Sequence, residues 1–277
     1  MLSDITLGQY FPGKSLLHKL DPRMKLILAA IYMVAVFLAK NAFCHLFTTV
    51  ATVVLILLSR ISLRIVLRAV RPILYVLIFT MLLNLFFTSS NGGHLLLDFW
   101  IIHIYSEGVF RALFMALRVI LLVMGVSVLL TYTTTPIALT DAIESLLSPL
   151  KLIKVPVHEF AMMMTIALRF IPTLIEETEK IMNAQKARGA DFTSGSIFRR
   201  VKALVPILIP LFVSSFQRAI DLATAMECRC YRGGKGRTKL VRYTLHIRDF
   251  VMLLFFAAAI VAIVFGNQYL TIGRLYT

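Results

Sequence analysis

Ala203-Leu204-Val205-Pro206-Ile207-Leu208-Ile209-Pro210-Leu211-Phe212 is apolar enough to enter a membrane, yet two prolines interrupt it. Polar residues follow at Gln217, Arg218 and Asp221, and the run closes on Cys228-Arg229-Cys230, an arginine between two small side chains. The stretch before it repeats the plan. From Val157 to Lys186, Phe160, Met164, Ala167, Ile171 and Leu174 recur at spacings of three and four, which places them on one helical face. Glu176, Glu177, Glu179 and Lys180 make the last third polar, and Ala187-Arg188-Gly189 ends it. Two long helices are therefore expected, at about 157–186 and 196–229, each tipped by one arginine. Two further membrane spans would satisfy their hydropathy. Arg169, Pro172, Pro206 and Pro210 break the runs, however, and the charged ends would have to share one side of the bilayer through a short loop. The expectation is a hairpin dipping partly into the membrane from the cytoplasmic face.

Composition sets the class. Hydrophobic residues make up 59% of the 277, charged residues 16%, and mean hydropathy is +0.84, outside the range of soluble domains. This is the composition of a multi-pass membrane protein. A net charge of +15 then reflects loops retained in the cytoplasm, and the stacked aromatic and basic patterns of RNA-binding modules are absent. Three cysteines, an odd number, argue against a disulfide framework. Residues 1–21 have no apolar core of signal-peptide type, so no cleavage is expected before the first span.

Along the chain, Gly8 to Gly13 reads as a turn, and Asp21 is placed to cap a helix with Pro22 at its first position. Leu26 to Ala39 and Phe43 to Leu58 are nearly unbroken apolar runs and read as a helical hairpin of two spans, each borrowing flanking residues to reach the length a bilayer needs. Arg60, Arg64, Arg68 and Arg71 recur at helical spacing beside Ile61, Ile65 and Leu67, an interfacial pattern in which arginine stems cover apolar surface and their heads reach phosphates or water. Pro72 to Phe87, Val109 to Tyr132 and Phe250 to Phe265 complete five spans. Of the 29 lysines and arginines, 17 fall between 132 and 248, whereas the loops at 40–42 and 88–108 carry one between them. The positive-inside rule puts the N-terminus and the long basic segment in the cytoplasm and the C-terminus outside. The expected architecture is all-α, with a four-span membrane domain at 1–132, a coupling-helix module of one short and two long amphipathic helices at 133–248, and a last span with an extracytoplasmic tail at 249–277.

Tyr10-Phe11-Pro12-Gly13 with Ser15, His18 and Leu20-Asp21-Pro22-Arg23, then Ala187-Arg188-Gly189, then Glu227-Cys228-Arg229-Cys230-Tyr231, form an ordered set spanning nearly the full chain. In this set the sequence resembles the transmembrane coupling component, or T component, of energy-coupling factor transporters, the EcfT/CbiQ-like family. The resemblance implies an importer of vitamins or other micronutrients with two cytoplasmic ATP-binding subunits, a membrane-embedded substrate-binding S component, and coupling helices whose terminal arginines enter grooves of the ATPases. Ala187, Arg188, Gly189, Cys228, Arg229 and Cys230 are the implied coupling residues. The family often carries Ala-Arg-Gly at the second tip, so Cys228 and Cys230 depart from it, and the freedom that glycine would give at 230 is the property in question. Apart from the family, a guanidinium offers five donors in a rigid fork suited to a carboxylate or to several carbonyls. The plainer reading is a cation favoured at a helix C-terminus by about 0.3–1 kcal/mol.

No catalytic, cofactor or metal residues are expected. His158-Glu159 begins like a zinc-protease helix, but Met162 stands where the second histidine is needed. The Gly233 to Thr238 segment lacks phosphate-loop spacing and a preceding strand, and Cys228 and Cys230 have no partners at zinc spacing. Arg118, midway along the fourth span, is the notable intramembrane charge, with Asn84 or a backbone carbonyl as its expected structural partner. Two other classes stay open. A permease of a conventional ATP-driven importer would couple through a single loop, and a secondary transporter would show inverted repeats.

Overall fold

The computed structural model describes residues 10–87, 95–99, 102–190, 192, 196–233 and 243–269. The start of the expected turn at Gly8, the loop residue His94, the Gly234 to Thr238 part of the basic loop and the C-terminal tail lie outside the described residues. The elements run α1 (Pro22–Leu38), α2 (Ala42–Ser59), α3 (Leu63–Val70), a 3₁₀ turn (Arg71–Ile73), α4 (Leu74–Phe87), β1 (Leu95–Phe99), β2 (Ile102–Tyr105), α5 (Ser106–Val126), a π turn (Ser127–Thr131), α6 (Pro136–Leu146), a 3₁₀ turn (Ser148–Ile153), α7 (Val157–Ala187), α8 (Ile197–Cys228) and α9 (Ile247–Tyr269). The class is the expected all-α membrane protein. One small antiparallel hairpin, pairing Asp98 with His103 and Phe99 with Ile102, stands in the segment read from sequence as a plain polar loop.

Among the described residues, six helical stretches are long and apolar enough to cross a membrane: α2, Leu63–Asn84, Gly108–Thr131, α7, Val201–Cys228 and α9. α1, at 17 residues, lies at the short end of the roughly 17–25 residues that span a bilayer. The set therefore includes α7 and α8, as their hydropathy foretold, and joins the arginine-rich α3 to α4.

The described residues fall into two compact units, 10–142 with 243–269, and 143–233. In the first, α1 packs on α9 and α5, α2 on α5 and α9, and α4 on α5. α1 and α2, read from the sequence as a helical hairpin, touch directly and share α5 and α9 as neighbours. Asp21 caps α1 by accepting from the Arg23 N–H at 2.9 Å, ahead of Pro22. Leu28, Tyr32 and Val36 of α1 meet Leu55 and Ile56 of α2, Val66 of α3, Val128 and Leu129 of the π turn and Phe256 of α9 in one buried cluster.

Buried polar groups fasten these helices. The Tyr32 hydroxyl donates to the Leu121 carbonyl at 2.7 Å and lies 2.8 Å from Thr52 Oγ1, tying α1 to α5 and α2. Its ring sits where a Cβ on Gly125 would come within 2.2 Å, so that position admits no side chain without repacking. At one end of the bundle Asp249, only 1% exposed, accepts from the Asp21 N–H at 3.0 Å and from the His246 N–H at 2.8 Å. The second bond is half of a capping box on α9; the first binds α9 to the start of α1. Beside it Lys25 Nζ donates to the Thr133 carbonyl at 2.7 Å, past the end of α5. At the other end Asn267 Nδ2 donates to the Leu38 carbonyl at 2.6 Å, and Asn267 Oδ1 accepts from the Lys40 N–H at 3.2 Å.

Candidate functional site

Both arginine tips lie in the second unit, and both have the same backbone. α7 ends with Arg188 at φ −86°, ψ 8°. The Gly189 N–H then bonds the Lys186 carbonyl at 2.9 Å and the Ala190 N–H bonds the Gln185 carbonyl at 3.0 Å. α8 ends with Arg229 at φ −89°, ψ 13°. There the Cys230 N–H bonds the Glu227 carbonyl at 2.8 Å and the Tyr231 N–H bonds the Met226 carbonyl at 3.0 Å. Each is a Schellman motif, in which the residue after the arginine turns into the left-handed region and two orphan carbonyls of the last turn are satisfied.

The left-handed residue is Gly189 at φ +86° in one tip and Cys230 at φ +55° in the other. Cys230 thus makes the turn that glycine ordinarily makes, at a cost of about 1–2 kcal/mol relative to glycine. Nothing lies within 4 Å of a Cβ built on Gly189, so that glycine answers to backbone conformation and not to crowding. Ala187, Arg188, Gly189, Cys228, Arg229 and Cys230 are all exposed. The motif sets each arginine at the last position of its helix, with small residues beside it.

α7 and α8 pack together and run in opposite senses. Arg218 of α8 pairs with Glu177 of α7, and farther along α8 a cavity of about 620 Å³ is bounded by Arg229, Cys230 and Met226 together with Met162, Thr165 and Ile166 of α7. As the α8 residue number rises, the facing α7 number falls. Arg229 therefore lies beside the first turns of α7 and Arg188 lies at its far end. At 1.5 Å per residue the two tips are roughly 35 Å apart. The antiparallel sense is that of the hairpin read from the sequence; the register, with Arg229 facing Met162, Thr165 and Ile166, is what the structure adds.

The other singled-out residues serve packing. His158 Nδ1 meets Glu144 Oε1 at 3.1 Å, a side chain-to-side chain contact in place of a zinc site. Among the described residues no three His, Cys, Asp or Glu side chains gather as metal ligands. In the membrane unit Arg118 Nη2 donates to the carbonyl of Ala39, the C-cap residue of α1, at 2.5 Å. Asn84 donates instead to Thr80 within its own helix at 2.8 Å. Arg118 is midway along α5 but meets the end of α1, because α5 is the longer helix and extends past it. A cation at a helix C-terminus is electrostatically favoured, and the same carbonyl end would otherwise need a partner inside the bilayer.

Residues 13–240 match the family described as Cobalt transport protein, CbiQ. The energy-coupling factor transporter transmembrane protein EcfT of Ruminiclostridium cellulolyticum is 53% identical over 246 residues, covering 88% of this chain and 91% of its own. That of Clostridium kluyveri is 51% identical over 254 residues, covering 92% and 93%, and that of Bacillus subtilis 47% over 239 residues, covering 86% and 89%. With the family match over residues 13–240 and relatives about half identical over most of its length, the chain belongs to the CbiQ/EcfT family of transporter transmembrane proteins.

Proposed function

We propose that this chain is the coupling subunit of an ATP-driven energy-coupling factor importer of vitamins or other micronutrients, with no catalysis of its own. It joins two cytoplasmic ATP-binding subunits to a small membrane-embedded substrate-binding subunit, in the cell membrane, with its N-terminus cytoplasmic and its C-terminus outside. The carrying observation is that two identically capped arginines occupy opposite ends of one antiparallel helix pair. A pair of ATPase subunits, a homo- or heterodimer, offers two grooves. Two equivalent prongs on one stiff element suit that arrangement, and a single coupling loop does not. Because each arginine extends a long helix, movement of an ATPase shifts the helix instead of being absorbed in a loop. The basic charge of 133–248 supports a cytoplasmic coupling module flanked by the spans of 1–132 and 249–277. Pro172, Pro206 and Pro210 support a pair that lies at the membrane face over one that crosses it.

The test is co-expression of Arg188→Ala, Arg229→Ala and the double variant with the ATPase and substrate-binding subunits. Stranding the partner of a buried, hydrogen-bonded charge costs about 2–5 kcal/mol, so each single variant should co-purify poorly with the ATPases. The double variant should insert normally and lose ATP-dependent uptake. Full assembly and uptake in the double variant would reduce both arginines to helix caps.

A further inference from the structure

The membrane unit carries a second constellation that coupling does not use. A cavity of about 500 Å³ lies where the chain before α1 meets the end of α2. Lys14, Lys19 and Arg60 line it, with Ser15 between the lysines and with Leu16, Val54 and Leu57 as its apolar wall. Among the described residues no carboxylate lines it. We propose that this cavity binds an anionic phospholipid, its phosphate held by Lys14, Lys19 and Arg60 and the start of an acyl chain lying along Leu57 and Val54.

Each cation is mounted on fixed backbone. Arg60 is the C-cap of α2, in the left-handed region at φ 56°, with its N–H on the Leu57 carbonyl at 3.2 Å. The two lysines bracket a short turn. Its Lys19 N–H bonds the Leu16 carbonyl at 3.2 Å, and its Ser15 hydroxyl, 4% exposed, lies 2.6 Å from His18 Nδ1. His18 Nε2 in turn lies 2.8 Å from the Phe11 carbonyl. The turn is thus tied down on both sides, and the lysines are not free ends of a mobile arm.

Placement supplies the second argument. α2 is one of the stretches able to cross the membrane, and Arg60 is the residue that ends it, followed by the amphipathic α3 with Arg64 and Arg68 exposed. A cavity at the end of a span sits at the level of lipid headgroups. Leu57 is 71% exposed and Leu16 53% exposed directly beside the cations. A soluble phosphate would use the charges and leave these side chains in water, whereas a phospholipid covers both. Three cations with no carboxylate also repel the ammonium of a zwitterionic headgroup, so charge complementarity selects a net-anionic lipid.

Native mass spectrometry of the full-length chain in mild detergent tests the site, using phosphatidylglycerol, phosphatidylcholine and glycerol phosphate as probes. Wild type should retain one phosphatidylglycerol in preference to phosphatidylcholine. The Lys14→Gln, Lys19→Gln, Arg60→Gln triple variant should lose affinity by roughly a hundredfold. An Arg64→Gln, Arg68→Gln variant, which removes charge from the same membrane edge but outside the cavity, should retain the lipid. So should Lys14→Arg, Lys19→Arg, which keeps charge while changing shape. Equal loss in the triple and the α3 variants would make the effect diffuse surface charge and overturn the site. Equal retention of phosphatidylcholine would also overturn it, as would displacement of the lipid by an equimolar concentration of glycerol phosphate, which would assign the cations to a soluble phosphate.

Discussion

α9 and α8 are both long, apolar helices, and they are held in opposite ways. α9 buries Asp249, Phe256, Ile263 and Gly266 and is fastened at each end by side-chain bonds to the α1–α2 segment. Among the described side chains of α8 only Ile207 is buried, and Phe198, Leu208, Ile209, Phe212, Val213 and Phe216 are each more than half exposed. α7 buries only Val157 and Ala161. The apolar faces of α7 and α8 exceed what a soluble monomer exposes, so lipid or partner subunits must cover them. The unit of 10–142 with 243–269, the frame, is locked by side-chain bonds between distant elements, whereas the α7–α8 pair keeps most of its apolar surface uncovered. Opening energies within one protein differ in this way wherever burial and bonding differ.

The contrast can be broken first at Asp249. Asp249→Ala strands the buried Asp21 N–H and removes the acceptor of the part-buried His246 N–H, and losing two charge-assisted bonds should cost the unit of 10–142 with 243–269 about 3–5 kcal/mol. A thermal melt in detergent should fall well below that of wild type. The proximity of positions 177 and 218, read by cross-linking after Glu177→Cys, Arg218→Cys substitution in the Asp249→Ala background, should persist. If α7 and α8 came apart together with the frame, the two units would not be separate in stability.

A smaller effect is expected at the tips. Gly189→Ala places a Cβ on a residue at φ +86° and should destabilise the end of α7 by about 1–2 kcal/mol. It should speed amide exchange there and leave the melt of the frame unchanged. Cys230→Gly should act in the opposite direction, slowing exchange at the end of α8 by up to the same magnitude, since it relieves φ +55°. Equal and like-signed effects at the two tips would show that backbone strain is not what distinguishes them.

Thiol chemistry sharpens the comparison without perturbing it. Cys44 is 1% exposed, packed near Ile263 and Gly266, whereas Cys228 and Cys230 are exposed. A maleimide should label the tip pair rapidly and Cys44 only on unfolding. In right-side-out vesicles an impermeant reagent should spare the tip pair until the membrane is opened. Labelling of that pair in sealed vesicles would invert the proposed orientation.

Much was legible from residues alone because the signals are local. Hydropathy runs set the membrane class, Asp21-Pro22 set the start of α1, three-and-four spacing set α7, and small residues around Arg188 and Arg229 marked the tips. Each depends on chemistry within one or two helical turns, where periodicity and capping act. Tertiary structure decided the rest. The Asp21–Asp249 bond joins residues 228 apart and the Lys25–Thr133 bond residues 108 apart, and no periodic pattern records such pairings. Of the two partners expected for Arg118, a backbone carbonyl is met at Ala39, where α5 runs past the end of α1. Cys230 entered the left-handed region because two backbone bonds of the Schellman turn hold it there, against its own preference. The register of the α7–α8 hairpin, and with it the distance between the two arginines, is set by contacts between the helices such as Arg218 with Glu177, which a single helix cannot express.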